Sequence, residues 1–219
     1  VATQDAVATG ADALHLHVRD ASGAHTLDAG LYRESLAELA RVLPGLPVQI
    51  TTEAAGQFEP TQQLGLIADL RPKWASVSVA EVGQAPEIAQ RLYHLARDQG
   101  TRLQHILYDA SDIDRFRYLQ NEGVLADAES VILVLGRYGH GVASDPATLD
   151  RMLALLPPVG RWMVCAFGPS EHLCLAHAAH CGGDLRVRFE NAIQGSNGTL
   201  WPTVGHSVAA LVAALQVGA

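Results

Sequence analysis

Seven short apolar runs, separated by segments with helical periodicity, constrain the fold of this chain more than any other feature. The runs begin 24 to 35 residues apart and are rich in β-branched or aromatic residues. Each is short enough to be a strand that is buried on both faces. They cover 13–18, 48–51, 74–79, 103–108, 130–135, 161–167 and 185–189.

The intervening segments carry apolar residues at helical spacing, and several begin at a proline or at a capping residue. The predicted helices cover 31–43, 60–70, 86–96, 112–119, 145–156, 171–179 and 207–215. Because strands alternate with helices, we expect parallel strands joined by right-handed crossovers, which is an α/β fold.

A (β/α)8 TIM barrel is the preferred architecture, although it needs eight strands and usually about 250 residues. The chain begins with Val1, inside what reads as a helix. We therefore expect the first strand of the barrel to be missing from this sequence. The alternative is an open doubly wound sheet, but no glycine-rich phosphate loop follows any predicted strand.

Composition narrows the class of protein further. The 219 residues are 48% hydrophobic and 17% charged, and no Ser/Gly linker or charge block divides them, so we expect one domain over 1–219. A net charge of -8 argues against nucleic acid or an anionic membrane as partner. No apolar run reaches the roughly 18 residues of a membrane span. Three cysteines favour reduced thiols and a cytoplasmic location.

The run HLHVRD at 15–20 is the sharpest chemical signal. Residues two apart on a strand project to the same face, so His15 and His17 lie side by side near the carboxyl end of the first run. A divalent metal would explain two adjacent imidazoles, and a pair of hydrogen-bonded histidines in the barrel interior is the alternative.

Glu190 directly follows the last predicted strand, at the mouth of the expected barrel. In an eight-stranded barrel the first strand has both the second and the last strand as neighbours, which would place Glu190 one strand away from the histidines. Two histidines and one carboxylate leave a coordination position open, as in catalytic zinc sites. A surface or helix-capping carboxylate is the alternative reading of Glu190.

The segment 9–20, TGADALHLHVRD, closely resembles the AGA-x-x-x-HLHVRD segment of the beta-keto acid cleavage enzymes. The resemblance continues in order through QITT at 49–52, ASV at 75–77, VLG at 134–136 and GGDLRV at 182–187, followed by Glu190. It therefore spans essentially the whole chain.

This resemblance implies a zinc-dependent (β/α)8 barrel with His15, His17 and Glu190 as the metal ligands. It places Arg186, Thr51 and Asn191 at catalytic positions, and we expect Thr52, Ser78 and Arg137 to contact substrate. The implied reaction is a Claisen-type exchange of a beta-keto acid with acetyl-CoA that yields acetoacetate and an acyl-CoA. A homo-oligomer is also implied.

Several positions depart from the family pattern. Asn191 stands where the family has an aspartate that takes part in proton abstraction, and an amide cannot act as a base. Glu53 and Ala54 replace the usual glycines, and a family glutamate on the first strand has no counterpart here. Glu53, His105 and Asp109 remain open as substitute bases.

Two other functions follow from these departures. One is a metal-dependent lyase or hydrolase of keto acids that needs no CoA, and the other is a metal-binding relative with impaired catalysis.

A second cluster of metal-binding residue types lies in one predicted helix. Cys174, His177 and Cys181 would share a face there. A structural zinc site normally draws ligands from two elements, so small buried cysteines are the preferred reading.

Overall fold

A computed structural model describes residues 2–126, 128–136, 143–187, 192–196 and 198–217 of the chain. Its strands are β1 (Leu14–Leu16), β2 (Val18–Arg19), β3 (His25–Thr26), β4 (Val48–Thr51), β5 (Trp74–Ser78), β6 (Arg102–Leu107), β7 (Ser130–Leu135), β8 (Arg161–Ala166) and β9 (Asp184–Leu185). Its helices are α1 (Ala2–Ala8), α2 (Ala29–Val42), α3 (Pro60–Leu70), α4 (Val79–Val82), α5 (Pro86–Gln99), α6 (Ala110–Asn121), α7 (Pro146–Leu155), α8 (Glu171–His180) and α9 (Val204–Val217).

The predicted alternation of strands and helices is confirmed. Each of the seven apolar runs overlaps one parallel strand, the last of them only at Leu185, and the predicted helices correspond to α2, α3 and α5 to α9. The α/β fold class is therefore confirmed for the described residues. Closure into an eight-stranded barrel stays a prediction, as does a single domain over 1–219. No helix in the described part of the chain is both long and apolar enough to span a membrane.

The chain divides into two compact units. The unit that we call N-terminal comprises Asp12–Ile106 and Asp114–Glu129, and the C-terminal unit comprises Val1–Ala11, Leu107–Ile113 and Ser130–Ala219.

In the N-terminal unit, strands β1, β4, β5 and β6 pair in parallel in that order. His15 lies opposite Gln49, and Ser76 lies opposite Gln104. Because side chains alternate between the faces of a strand, this register puts His15, Gln49, Thr51, Ser76 and Gln104 on one face, and His105 on the opposite face. Ile50, Ala75, Val77 and Leu103 belong to the other, apolar face.

In the C-terminal unit, β7, β8 and β9 pair in parallel in that order. Strand β7 is buried from Val131 to Leu135, which is typical of a parallel strand covered on both faces. Helix α8 packs on β8 and beside α7, while α1 packs on α9.

The hairpin formed by β2 and β3 was not predicted from the sequence. Val18 pairs with Thr26 in an antiparallel register, and Gly23 takes a positive φ of 83° in the turn between the strands. The Asp20 carboxylate accepts hydrogen bonds from the backbone nitrogens of Ser22 and Ala24. Strands of two residues carry too little apolar pattern to be recognised from the sequence.

Ser144 ties together the carboxyl ends of β7 and β8. Its hydroxyl donates to the Leu135 carbonyl oxygen at 2.7 Å and accepts from the Phe167 backbone nitrogen at 2.8 Å. The next residue, Asp145, caps α7 by accepting from the Ala147 nitrogen, and Pro146 begins the helix as predicted. Ser144 is 5% exposed, so its backbone partners have little access to water.

We expect Ser144→Ala to lower the free energy of unfolding by about 1 kcal/mol, because the buried hydroxyl's hydrogen bonds are lost while the Phe167 nitrogen keeps its bond to the Leu135 carbonyl oxygen. Urea unfolding followed by circular dichroism measures this change. Ser196→Ala, the same substitution at an exposed position, serves as the matched control. Equal stability of the two variants would contradict a structural role for the Ser144 hydroxyl.

Candidate metal and substrate site

The two histidines of the HLHVRD motif converge in the structure. His15 lies on β1 and His17 directly follows it, and their Nε2 atoms are 3.0 Å apart. The ring centroids lie 4.9 Å apart with the planes at 71°. The prediction that both side chains project together is therefore confirmed.

Gln49 fixes the orientation of the first imidazole. Its Oε1 lies 2.7 Å from His15 Nδ1, and its amide nitrogen donates to Gln104 Oε1 at 3.1 Å. An amide oxygen can only accept, so the bond assigns the proton of His15 to Nδ1. The lone pair of Nε2 then points towards His17.

This arrangement fits a divalent metal. Two zinc–nitrogen bonds of about 2.0–2.1 Å at a tetrahedral angle separate their nitrogens by about 3.3 Å. The spacing of the two Nε2 atoms is close to that value. Metal-binding histidines also characteristically donate their other ring N–H to an oxygen, as His15 does to Gln49. A hydrogen bond between the two rings accounts for the same spacing in the absence of a cation.

The polar face of the N-terminal unit continues from the histidines. Gln49, Thr51, Ser76 and Gln104 are each at most 2% exposed. The Thr51 hydroxyl oxygen accepts from the Glu53 backbone nitrogen at 3.0 Å and from the Ser76 hydroxyl at 3.2 Å. Thr51 thus holds the start of the segment that follows β4.

Of the predicted substrate residues, Thr52 directly follows β4 and Ser78 is the last residue of the adjacent strand β5. The Thr52 hydroxyl donates to the Ser76 carbonyl oxygen at 3.0 Å, and Ser78 Oγ accepts from the Glu81 nitrogen at the start of α4. Both residues are buried. Their contact with substrate stays a prediction.

Glu53 brings a carboxylate to the histidine pair. Its Oε2 lies 3.9 Å from His17 Nε2, and its backbone oxygen accepts from His25 Nε2 at 2.8 Å. The His25 ring in turn lies 5.4 Å from the His17 ring. Glu53 therefore stands at the site itself, at a position where the family pattern has a glycine.

Glu81 anchors the segment that carries Glu53. Its carboxylate accepts from the backbone nitrogens of Ala54 and Ala55, at 2.9 and 3.2 Å, and from the Gln63 amide at 2.9 Å. Burial raises the pKa of the Glu81 carboxyl, and the nearby charge of Glu53 adds to this effect. The three donors offset part of the cost of burying the group.

The other two candidate bases are His105, which packs against aromatic rings, and Asp109, which caps the start of a helix. His105 is fully buried on the apolar side of β6, with its ring 5.5 Å from that of Tyr93 and 5.2 Å from that of Phe116. The Asp109 carboxylate accepts from the backbone nitrogens of Ser111 and Asp112 in the first turn of α6. The contacts of Glu53 lead directly to the histidine pair, since its Oε2 lies 3.9 Å from His17 Nε2.

Three predicted site residues lie outside the residues that the structure describes: the metal ligand Glu190, the catalytic position Asn191 and the substrate residue Arg137. Arg186 follows β9 in the C-terminal unit, where its backbone nitrogen donates to the Val164 carbonyl oxygen. The roles of all four residues stay predictions.

Gln49 and Gln104 were not predicted as members of the site. Gln49 belongs to the QITT motif at 49–52. Both glutamines interrupt apolar strands, and each lies opposite a polar residue of an adjacent strand, His15 for Gln49 and Ser76 for Gln104. A buried amide on a central strand needs a partner, so alternating polar residues on adjacent strands were the available signal.

Comparison with known proteins adds a family. A family model described as beta-keto acid cleavage enzyme matches residues 1–217. A 3-keto-5-aminohexanoate cleavage enzyme of Fusobacterium nucleatum subsp. nucleatum is 23% identical over 217 residues, covering 95% of this chain and 78% of that protein. A protein of the same name from Acetoanaerobium sticklandii is 23% identical over 193 residues, covering 84% of this chain and 70% of its own length.

Solved structures share the fold at low identity. A 3-dehydroquinate dehydratase from Aquifex aeolicus VF5 has a TM-score of 0.59 at 12% identity, covering 95% of this chain and 90% of its own. A type I 3-dehydroquinate dehydratase from Clostridium difficile has a TM-score of 0.57 at 10% identity, covering 88% and 77%. Such likenesses concern the fold alone.

We expect Gln49→Leu to weaken divalent-metal binding by about 10–100-fold, because the His15 imidazole loses the acceptor that orients it. Competition titration against a chromophoric chelator measures the affinity. His15→Ala provides the reference for loss of this binding, and Gln90→Leu on the exposed face of α5 provides the matched control. Unchanged affinity in Gln49→Leu would show that the His15–Gln49 bond does not support a metal.

Proposed function

Because the chain belongs to the beta-keto acid cleavage enzyme family, we propose that it catalyses a metal-dependent exchange between a beta-keto acid and acetyl-CoA. The observation that carries this proposal is the convergence of His15 and His17, with their Nε2 atoms 3.0 Å apart and Gln49 on the far side of His15. The products would be acetoacetate and a new acyl-CoA. The same family membership supports the closed (β/α)8 barrel.

His15, His17 and Glu190 would hold the cation, for which zinc is the proposed identity. When bound, it supplies Lewis-acid stabilisation of negative charge on the keto oxygen of the substrate. Gln49 keeps the His15 ring in the required tautomer, and Gln104 in turn orients Gln49. These contacts form before substrate arrives, so little reorganisation is needed during the reaction.

Glu53 is the proposed general base. Its carboxylate removes a proton from the α-carbon of the beta-keto acid, and the resulting carbanion attacks the thioester carbonyl carbon of acetyl-CoA. The CoA thiolate leaves and then attacks the original keto carbon. The carbon–carbon bond breaks, acyl-CoA departs, and Glu53 returns the proton to the acetoacetate carbanion.

Thr51 and Glu81 act as positioning residues in this scheme. Thr51 Oγ1 binds the backbone nitrogen of Glu53, while the Glu81 carboxylate binds the next two backbone nitrogens. The segment is thereby fixed on both sides of the Glu53 side chain. Arg186, Asn191, Thr52, Ser78 and Arg137 complete the proposed set of catalytic and substrate contacts. The working assembly that we propose is a cytoplasmic homo-oligomer acting on small molecules.

With zinc-loaded protein, acetyl-CoA carrying ¹³C in its acetyl group and a panel of beta-keto acids that includes 3-keto-5-aminohexanoate, we expect label to appear in acetoacetate. The exchange transfers the acetyl group onto the α-carbon, so both acetyl carbons enter that product. Carbon NMR and mass spectrometry of the acyl-CoA pool measure the two products.

Omission of acetyl-CoA is the control for the same mixture. Cleavage that continues without acetyl-CoA would replace the proposal with a CoA-independent lyase or hydrolase. Metal-loaded protein that turns over no member of the panel would identify an impaired relative.

We expect Glu53→Gln to lower kcat by about 10²–10⁴-fold, because an amide cannot take the α-proton. Steady-state kinetics with acetyl-CoA measures the loss, and metal analysis of the same preparation shows whether the histidine pair still binds its cation. Glu34→Gln, an exposed substitution on α2, is the matched control. Full activity of Glu53→Gln with metal bound would assign the proton transfer to another group.

A further inference from the structure

Three side chains of different chemistry meet on the surface of the C-terminal unit, and none of them belongs to the proposed active site. The ligand atoms of Asp150, His177 and Cys181 all lie within 4.8 Å of one another. His177 Nε2 is 2.7 Å from Asp150 Oδ1 and 3.9 Å from Cys181 Sγ. We propose that these three residues bind a second divalent cation of the borderline-soft class, such as Zn²⁺.

Two neighbouring helices supply the ligands. Asp150 lies in α7, His177 lies in the last turn of α8, and Cys181 is the residue that caps the end of α8. His177 and Cys181 are four residues apart, which stacks them on one face of the helix. The Cys181 backbone nitrogen also donates to the His177 carbonyl oxygen at 3.1 Å, so this end of the helix is held in place.

The composition of the site differs from the set considered from the sequence. Cys174 is fully buried in α8, whereas Cys181 is exposed. Asp150 in α7 supplies a ligand from a second helix, whereas the sequence pattern contained ligands from one helix alone. It could not be recognised from spacing, because 27 residues separate it from His177.

Side-chain shifts of up to about 1 Å would bring the three ligand atoms to tetrahedral spacing around a cation. With a zinc–sulfur bond of about 2.3 Å and zinc–nitrogen and zinc–oxygen bonds of about 2.0–2.1 Å, a tetrahedral centre sets nitrogen and sulfur about 3.6 Å apart and nitrogen and oxygen about 3.3 Å apart. Cys181 Sγ would approach His177 Nε2 by about 0.3 Å, and the Asp150 oxygen would retreat from it by about 0.6 Å. The Asp150 oxygen and Cys181 Sγ, which lie within 4.8 Å of each other, would come to about 3.6 Å. The two residues that would move, Asp150 and Cys181, have exposed side chains.

The donor set selects the cation. One nitrogen, one sulfur and one oxygen suit Zn²⁺, Co²⁺ or Cd²⁺, whereas Mg²⁺ and Ca²⁺ prefer oxygen ligands alone. A fourth position remains for water. On binding, the Cys181 thiol releases its proton to solvent, and the neutral His177 ring carries its proton on Nδ1 so that Nε2 can coordinate. A bound cation would link α7 to α8.

Cobalt substitution tests this site separately from the proposed active site. The active-site ligands are nitrogen and oxygen atoms, so a sulfur-to-cobalt charge-transfer band in the near ultraviolet reports on a cysteine ligand. We expect Co²⁺ to produce this band in the full chain. The band should saturate when one Co²⁺ ion per chain is bound to a cysteine thiolate. A His15→Ala/His17→Ala double variant should keep the band while losing the other cobalt site.

Matched variants identify the ligands. We expect Cys181→Ser to abolish the band and Asp150→Asn and His177→Gln to weaken cobalt binding. His180→Gln, which removes an exposed histidine next to the cluster, should leave the band unchanged. Absence of the band in the native chain at saturating Co²⁺, or its survival in Cys181→Ser, would overturn the proposal.

Alkylation of Cys181 gives a second readout that needs no loss of the thiol. At a Zn²⁺ concentration of about ten times the dissociation constant, we expect the rate with iodoacetamide to fall about tenfold in the native chain and in His180→Gln. Asp150→Asn should show a smaller protection at the same Zn²⁺ concentration. Mass spectrometry of the Cys181 peptide measures the rate. Unchanged alkylation of the native chain by Zn²⁺ would also overturn the site.

Discussion

The hydrogen bond between His15 and Gln49 is the contact on which the proposed chemistry depends. It links two adjacent parallel strands and assigns a proton to Nδ1, so that the lone pair of Nε2 faces His17. A glutamine this deeply buried is costly unless both ends of its amide are satisfied, and Gln104 supplies the second partner. A requirement of the parallel sheet therefore also orients the ring of a proposed metal ligand.

The sequence predicted most of the strand and helix positions because the parallel strands are continuous apolar runs and their helices start at clear signals such as Asp145 and Pro146. It also predicted the histidine pair, because spacing along one strand is a local property. The contributions of Gln104 and Asp150 were not predicted, since each depends on which strand or helix lies beside which. The two-residue strands of the β2–β3 hairpin were too short to leave a pattern.

Glu53 shows how the structure distinguishes among residues that the sequence left equivalent. His105 faces Tyr93 and Phe116 on the apolar side of β6, and Asp109 serves the first turn of α6. Glu53 has its carboxylate beside His17. A residue that departs from the family pattern thereby becomes the proposed source of the proton transfer that Asn191 cannot provide.

Side chains on the strands of the N-terminal unit alternate between one face that stabilises the fold and one face that carries the proposed chemistry. Burial of apolar side chains such as Ile50 and Val77 on one face stabilises the folded state. The polar side chains of the opposite face form hydrogen bonds with one another. Substituting several residues of the polar face together leaves the buried apolar area of the sheet unchanged. Such a scaffold can acquire new reactions through substitutions that conserve its fold, and this is the physical basis on which its catalytic residues can diverge within one lineage.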